Sequence, residues 1–244
     1  MLTAYDYPTA KIVAQVGVDM ILVGDSLGMV VLGYPDTRSV TLQDILRHTG
    51  AVVRGCHAIA KEGGPFIVVD MPIHTTDTAG IALSNCRFIL EQTGAHAVKI
   101  EGNPRIVQVL CEAGIPVMGH TGLKPQFAEE YKIHGRGKLE ADIIEQEALA
   151  LEKAGVFAVV LECITAKLAQ KITQKLKIPT IGIGSSKACD GQVLVVSDLI
   201  GLYDDIKPKF VRRYANVAQN IRDAVTQFKK DIESGDFPNE KESY

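Results

Sequence analysis

Residues 20–25 read MILVGD: four apolar residues, a glycine and an aspartate. The same form recurs as FIVVD (66–70), AVKIE (97–101), PVMGH (116–120) and AVVLE (158–162). Five short apolar runs thus end on Asp25, Asp70, Glu101, His120 and Glu162. Runs that are nearly continuous rather than alternating are expected of strands covered on both faces, as in a parallel sheet. There all C-terminal strand ends lie on one side, and in a closed barrel of eight strands that side carries the active site. One polar strand end is punctuation. Five of them, four acidic and one imidazole, point to an enzyme.

Working outward, further apolar runs place strands at 2–5, 20–25, 66–71, 97–102, 116–121, 158–163, 179–184 and 192–196, with a helical pattern after each. Val16-Gly17-Val18, Thr93-Gly94-Ala95, Ala113-Gly114-Ile115 and Ala154-Gly155-Val156 mark the joints. Glycine there supplies the left-handed residue that stops a helix and turns the chain into the next strand. Pro8 and Pro104 suit first helical turns, and Thr41 with Asp44 resembles a capping box. Eight units without a strong glycine-rich dinucleotide fingerprint favour a (β/α)8 TIM-type barrel over an open doubly wound sheet. A last amphipathic helix is expected over 208–233, with Phe210, Val211, Tyr214, Val217, Ile221, Val225 and Phe228 on one stripe facing the barrel or a second subunit. The expected organisation is one catalytic domain over 1–233 and a polar tail over 234–244.

The 244 residues, 46% hydrophobic and 23% charged, fit one large globular domain. A net charge of -3 gives no reason to expect nucleic acid or an anionic membrane as partner. The chain has no apolar run of transmembrane length and its start, MLTAYDYP, lacks a secretory pattern. Cys56, Cys86, Cys111, Cys163 and Cys189 are scattered, which suits reduced thiols in the cytoplasm.

Carboxylates at neighbouring strand ends can share a cation, and an all-oxygen set suits magnesium. Asp25 and Asp70 are the first candidates, with Glu101 joining directly or through water; the competing reading is that the two aspartates cap the segments after them. Lys99 and Glu101, two apart, face the same way. They form either a structural ion pair or a lysine for a substrate carboxylate beside a metal-site glutamate. His120 either binds substrate or satisfies a strand end. Glu162 closes a wholly apolar run, where desolvation raises a carboxylate towards general-base range; a helix-capping role is the alternative. Ile181-Gly182-Ile183-Gly184-Ser185-Ser186 is a weak candidate for a phosphate cradle, and Lys124, Lys132 and Arg136 form a basic loop.

LTAYDYPTA (2–10), ILVGDSLGMVVLGY (21–34), VKIEG (98–102), GIPVMGHTGLKPQ (114–126), LECITAKLA (161–169), PTIGIG (179–184) and CDGQVLV (189–195) closely resemble the ketopantoate hydroxymethyltransferase family, in uninterrupted order over nearly the whole chain. The resemblance implies a (β/α)8 barrel that transfers a one-carbon unit from 5,10-methylenetetrahydrofolate to 3-methyl-2-oxobutanoate, giving 2-dehydropantoate. It implies Asp25 and Asp70 as magnesium ligands with Glu101 as third acid, Ser26 and Lys99 as keto-acid binders, Glu162 as proton acceptor, and a homodecamer of two pentameric rings. Two stretches depart from it. DMPFGSY becomes Asp70-Met71-Pro72-Ile73-His74-Thr75-Thr76, and GHLGLTPQ carries Lys124 in place of its threonine. The chain also begins almost at its first strand, where the family carries a preceding segment. The rival readings are a magnesium-dependent 2-oxo-acid lyase or mutase on a related barrel, and a non-catalytic homologue.

Overall fold

The computed structural model describes residues 1–60, 63–205 and 208–244. Its elements divide between two compact units, Met1–Val195 and Val196–Tyr244.

The first unit alternates strands and helices. In chain order they are β1 (Leu2–Thr3), α1 (Tyr7–Val16), β2 (Met20–Val23), α2 (Leu27–Val30), α3 (Leu42–His57), β3 (Phe66–Asp70), α4 (Ala79–Thr93) and β4 (Ala97–Glu101). There follow α5 (Pro104–Glu112), β5 (Val117–Gly122), α6 (Lys138–Lys153), β6 (Ala158–Glu162), α7 (Ala166–Lys175), β7 (Thr180–Ile183) and β8 (Gly191–Gln192). All eight strands pair in parallel and in sequence order. A parallel bridge between Leu2 and Leu194, with Thr3 N–H donating to Leu194 O at 3.1 Å, brings the end of the series back to its beginning. This is a (β/α)8 barrel of the TIM type.

Local chemistry explains the boundaries. Asp6 caps α1 through the Thr9 amide, with Pro8 in the first turn, and left-handed Gly17 ends the helix. Thr41 and Asp44 form the expected capping box at α3. Two expectations fail. No helix follows β7: Gly184–Asp190 is a short polar loop, held by Asp190, which accepts hydrogen bonds from the Thr180 amide and hydroxyl at 2.8 and 3.0 Å. A phosphate cradle there would lack the helix N-terminus such sites use. The eighth strand is also shorter than expected, although the Val193 amide still bonds Gly182 O at 3.0 Å.

The strand pleat separates two shells. Leu22, Val68, Ala97, Met118, Ala158, Val160, Ile181 and Val193 form one buried cluster inside the barrel, with Met20, Phe66 and Phe157 packed against it. The alternate residues, among them Ile21, Val69, Val98, Ile100, Val159 and Leu161, are also buried, so both faces of the sheet are apolar. That double burial is why the strands read as unbroken apolar runs.

The second unit holds α8 (Val196–Leu199) and α9 (Val217–Ser234). The last helix therefore starts at Val217, not at residue 208. Before it, the Tyr214 and Val217 amides bond Leu199 O and Ile200 O at 2.8 and 3.0 Å rather than carbonyls one helical turn back. On α9, Ile221, Val225, Phe228 and Ile232 are exposed along one side.

Candidate active site at the barrel mouth

Two residues up the pleat from the apolar cluster, the inward side chains become ionisable. Val68 is followed by Asp70, Ala97 by Lys99 and then Glu101, Met118 by His120, and Val160 by Glu162. These residues, with Asp25 and Ser26 just beyond β2, line a cavity of about 140 Å³ together with Thr3, Tyr131 and Ile183. Asp25, Asp70, Lys99, Glu101 and His120 are each at most 5% exposed.

Lys99 Nζ lies 2.6 Å from Asp70 Oδ1. The other Asp70 oxygen accepts the Asp25 amide at 3.0 Å, so Asp70 fixes the turn after β2 instead of capping its own loop. Ser26 is the N-cap of α2 but makes no side-chain capping bond; its hydroxyl is 2.8 Å from the Tyr5 hydroxyl. His120 Nδ1 is 3.4 Å from Lys99 Nζ and 3.6 Å from Glu101 Oε1, and Nε2 is 3.1 Å from Glu162 Oε2. An ammonium can only donate, so Nδ1 faces Lys99 as the acceptor and the neutral ring carries its proton on Nε2, which is near Glu162 but makes no hydrogen bond. Helix α7 starts at Ala166, with Thr165 as its N-cap, and takes no cap from Glu162.

Four carboxylates face one lysine here. Burial drives Asp25 up to about 7, reinforced by Asp70 and opposed by Lys99 and the Gln126 amide. Burial lifts Glu101 to about 9 against the pull of Lys99, and Glu162 to about 7 in the same way. His120 is held well below its ordinary value by burial and then by Lys99, which keeps the ring neutral. Burial alone would lower Lys99, but Asp70, Glu101 and Asp25 hold it above the usual lysine range.

Among the described residues no group of three or more His, Cys, Asp or Glu side chains is arranged to hold a metal ion. The donor set nonetheless suits a hard divalent cation: it is all oxygen, it carries excess negative charge, and it is buried. Glu101 Oε1 has no hydrogen-bond partner, and Asp70 Oδ1 has only the close but poorly directed lysine. Asp25 and Asp70, joined through the Asp25 amide, are the two carboxylates that would face such an ion, with Glu101 one strand further on.

Asp25, Ser26, Asp70, Lys99, Glu101, His120 and Glu162, all expected from the sequence, line this cavity. Lys124 does not: it pairs with Glu147 at 2.8 Å, and Glu147 also takes a close hydrogen bond from Thr121. The altered segment at 73–76 turns back outside, with exposed His74 3.1 Å from Asp77. Gln126, Tyr5 and Tyr131 were not foreseen. Gln126 is quoted in the motif at 114–126, but nothing local marks it as a partner for Asp25. Tyr131 is lifted to about 12 by burial and then by Asp25 and Glu162.

A parallel barrel whose mouth gathers acids, a buried lysine and a neutral imidazole defines an enzyme built for acid–base chemistry on a small polar substrate. The family can be stated more closely: the chain belongs to the ketopantoate hydroxymethyltransferases, whose family model matches residues 1–240. It is 47% identical to 3-methyl-2-oxobutanoate hydroxymethyltransferase of Syntrophus aciditrophicus, an alignment covering 100% of this chain and 90% of that one. It is 47% identical to the enzyme of the same name from Thermus thermophilus, covering 100% and 93%. Among solved structures the fold resembles 2,3-dimethylmalate lyase, a PEP mutase/isocitrate lyase superfamily member, at a TM-score of 0.62 and 13% identity over 94% of this chain and 82% of that one. It also resembles phosphonopyruvate hydrolase in complex with oxalate and Mg++, at a TM-score of 0.60 and 14% identity over 99% and 87%. At such identities these two likenesses concern the fold alone.

Proposed function

We propose that this transferase joins the one-carbon unit of 5,10-methylenetetrahydrofolate to C3 of 3-methyl-2-oxobutanoate, forming 2-dehydropantoate for pantothenate synthesis. The observation that carries the reading is a half-buried carboxylate, Glu162, raised to about 7 and facing a lysine and a carboxylate pair across one small cavity. Magnesium held by Asp25 and Asp70, with Glu101 nearby, supplies Lewis-acid polarisation of the keto group when bound.

The chain's own residues do the rest. Lys99 and Ser26 hold the keto acid, the ammonium supplying a fixed charge for its carboxylate. Glu162 takes the proton from C3 as the C–H electron pair moves towards the keto oxygen. His120 lines the same cavity, with its Nε2 3.1 Å from Glu162 Oε2. The nucleophilic C3 attacks the folate-borne carbon, the bonds from that carbon to the folate nitrogens break, and water supplies the hydroxyl oxygen. Water and methylenetetrahydrofolate are consumed, and tetrahydrofolate leaves.

No described helix is long and apolar enough to cross a membrane. With its free cysteines, that supports a cytoplasmic setting for this reading. The exposed stripe on α9 supports assembly into a homo-oligomer, for which a homodecamer is the proposed form; light scattering tests the mass.

The function is tested by incubating the protein with 3-methyl-2-oxobutanoate, magnesium and deuterated water, with and without methylenetetrahydrofolate. Loss of the C3 hydrogen without folate, and 2-dehydropantoate with it, are expected. Exchange with no product in the presence of folate would point instead to lyase or mutase chemistry; neither would leave a non-catalytic homologue.

A further inference from the structure

We propose that Gln126 is a positioning residue for the carboxylates at the barrel mouth, acting from the loop between β5 and α6. The inference rests on reading Asp25 and Asp70 as a magnesium site and adds a residue that sets how well that site is formed. Gln126 is 5% exposed. Its Nε2 donates to Asp25 Oδ2 at 2.8 Å and to Met71 O at 2.9 Å, while its backbone N–H donates to Glu101 Oε2 at 3.2 Å. A carboxamide nitrogen has two hydrogens, and both are used. One residue thus engages the segment after β2, the segment after β3 and the end of β4, reaching Asp25 across 101 positions of sequence.

The choice of side chain matters. A second lysine at this place would neutralise the charge that draws a divalent cation. A carboxamide donor stabilises ionised Asp25 and fixes the plane of its carboxylate without cancelling that charge. The loop is itself anchored on the opposite side of the cavity. The Leu123 amide bonds Glu162 O at 2.9 Å, and the neighbouring Lys124 pairs with Glu147 at 2.8 Å. Gln126 therefore connects the wall carrying the proton acceptor to the wall carrying the carboxylate pair.

The test uses the full chain with Gln126→Met, which keeps an unbranched side chain of similar length but has no donor, and with Gln126→Ala as a second variant. Magnesium affinity is read by titration calorimetry with 3-methyl-2-oxobutanoate present and folate absent, alongside the metal-free melting temperature and the magnesium dependence of turnover. Loss of a hydrogen bond to a charged group predicts affinity about 10- to 100-fold weaker. Saturating magnesium is expected to restore most of kcat, while the metal-free melting temperature changes little. Unchanged affinity in a folded variant would overturn the role of Gln126 and leave the metal reading standing. A wild-type protein that binds no magnesium would overturn both. Failure of both variants to fold would make Gln126 a requirement of the fold and overturn the proposal.

Discussion

The inside of this barrel has two levels that differ by one step of the pleat. Met118 and Val160 lie below, within a cluster of aliphatic side chains; His120 and Glu162 lie above them, on the same strands and facing the same way. The lower level needs only shape and area. The upper level places four carboxylates and a lysine where water is scarce, an arrangement that protonation or a cation must relieve. One strand scaffold therefore serves stability at one height and chemistry at the next.

The largest expected effect breaks the upper level. Glu162→Gln keeps the shape but cannot accept a proton, so folate-independent exchange of the C3 hydrogen should fall by about 10²–10⁴-fold. In the wild type this exchange should rise with pH as Glu162 ionises, towards a plateau above about 7, and the variant should lose that rise. Wild-type exchange in Glu162→Gln would move the base role elsewhere.

Met118→Ala is the mirror experiment below. Emptying a fully buried site costs about 2–5 kcal/mol of stability, read by denaturant unfolding, while magnesium affinity should stay near the wild-type value. An equal loss of both would mean that the levels are not separable.

A third effect joins them. Asp25 and Glu101 rise from ordinary values of 3.8 and 4.5 to about 7 and about 9, so the metal-free fold favours their protonated forms. That contribution to stability is fully present below the ordinary values and is lost as pH rises through the raised ones. Magnesium should restore it, with a larger rise in melting temperature at pH 8 than at pH 5 and, at a hundredfold excess over its Kd, about 2.7 kcal/mol of stabilisation. Equal shifts at both pH values would argue against a site made of these carboxylates.

The smallest effect lies outside both levels. His74 has a left-handed backbone, φ 66°, where the resembled pattern DMPFGSY carries glycine. His74→Gly should gain roughly 0.5–1 kcal/mol by relieving that conformation, since the exposed pair with Asp77 contributes little. Thermal melts would show it, and a lower melting temperature would mean that the histidine holds the loop.

What could be read from the sequence follows the same division. A strand end announces itself, because an apolar run must stop and the stopping residue is visible; Asp25, Asp70, Glu101, His120 and Glu162 were legible for that reason. Gln126 was not, because its partners lie in other loops and no local period connects residue 126 to residue 25. The missing helix after β7 was hidden in the same way, since the short polar stretch at 184–190 draws its order from Asp190 reaching back to Thr180. The start of α9 is not legible because Phe210, Val211 and Tyr214 match a helical period by residue type, while their segment is pinned by bonds to the end of α8.

The seam between Thr3 and Leu194 sets a schedule for folding. The Met1 amino group bonds Gln192 O at 3.1 Å, a sequence separation of 191, so the closing contacts are nearly as non-local as this chain permits. Contacts so distant are slow to form, and they are made last when a chain emerges in order from a ribosome. Until Leu194 arrives, the edge of the growing sheet stays open to pairing with other chains. The yield of this protein should therefore fall with nascent-chain crowding and rise with chaperone supply, which co-expression at two chaperone levels would check.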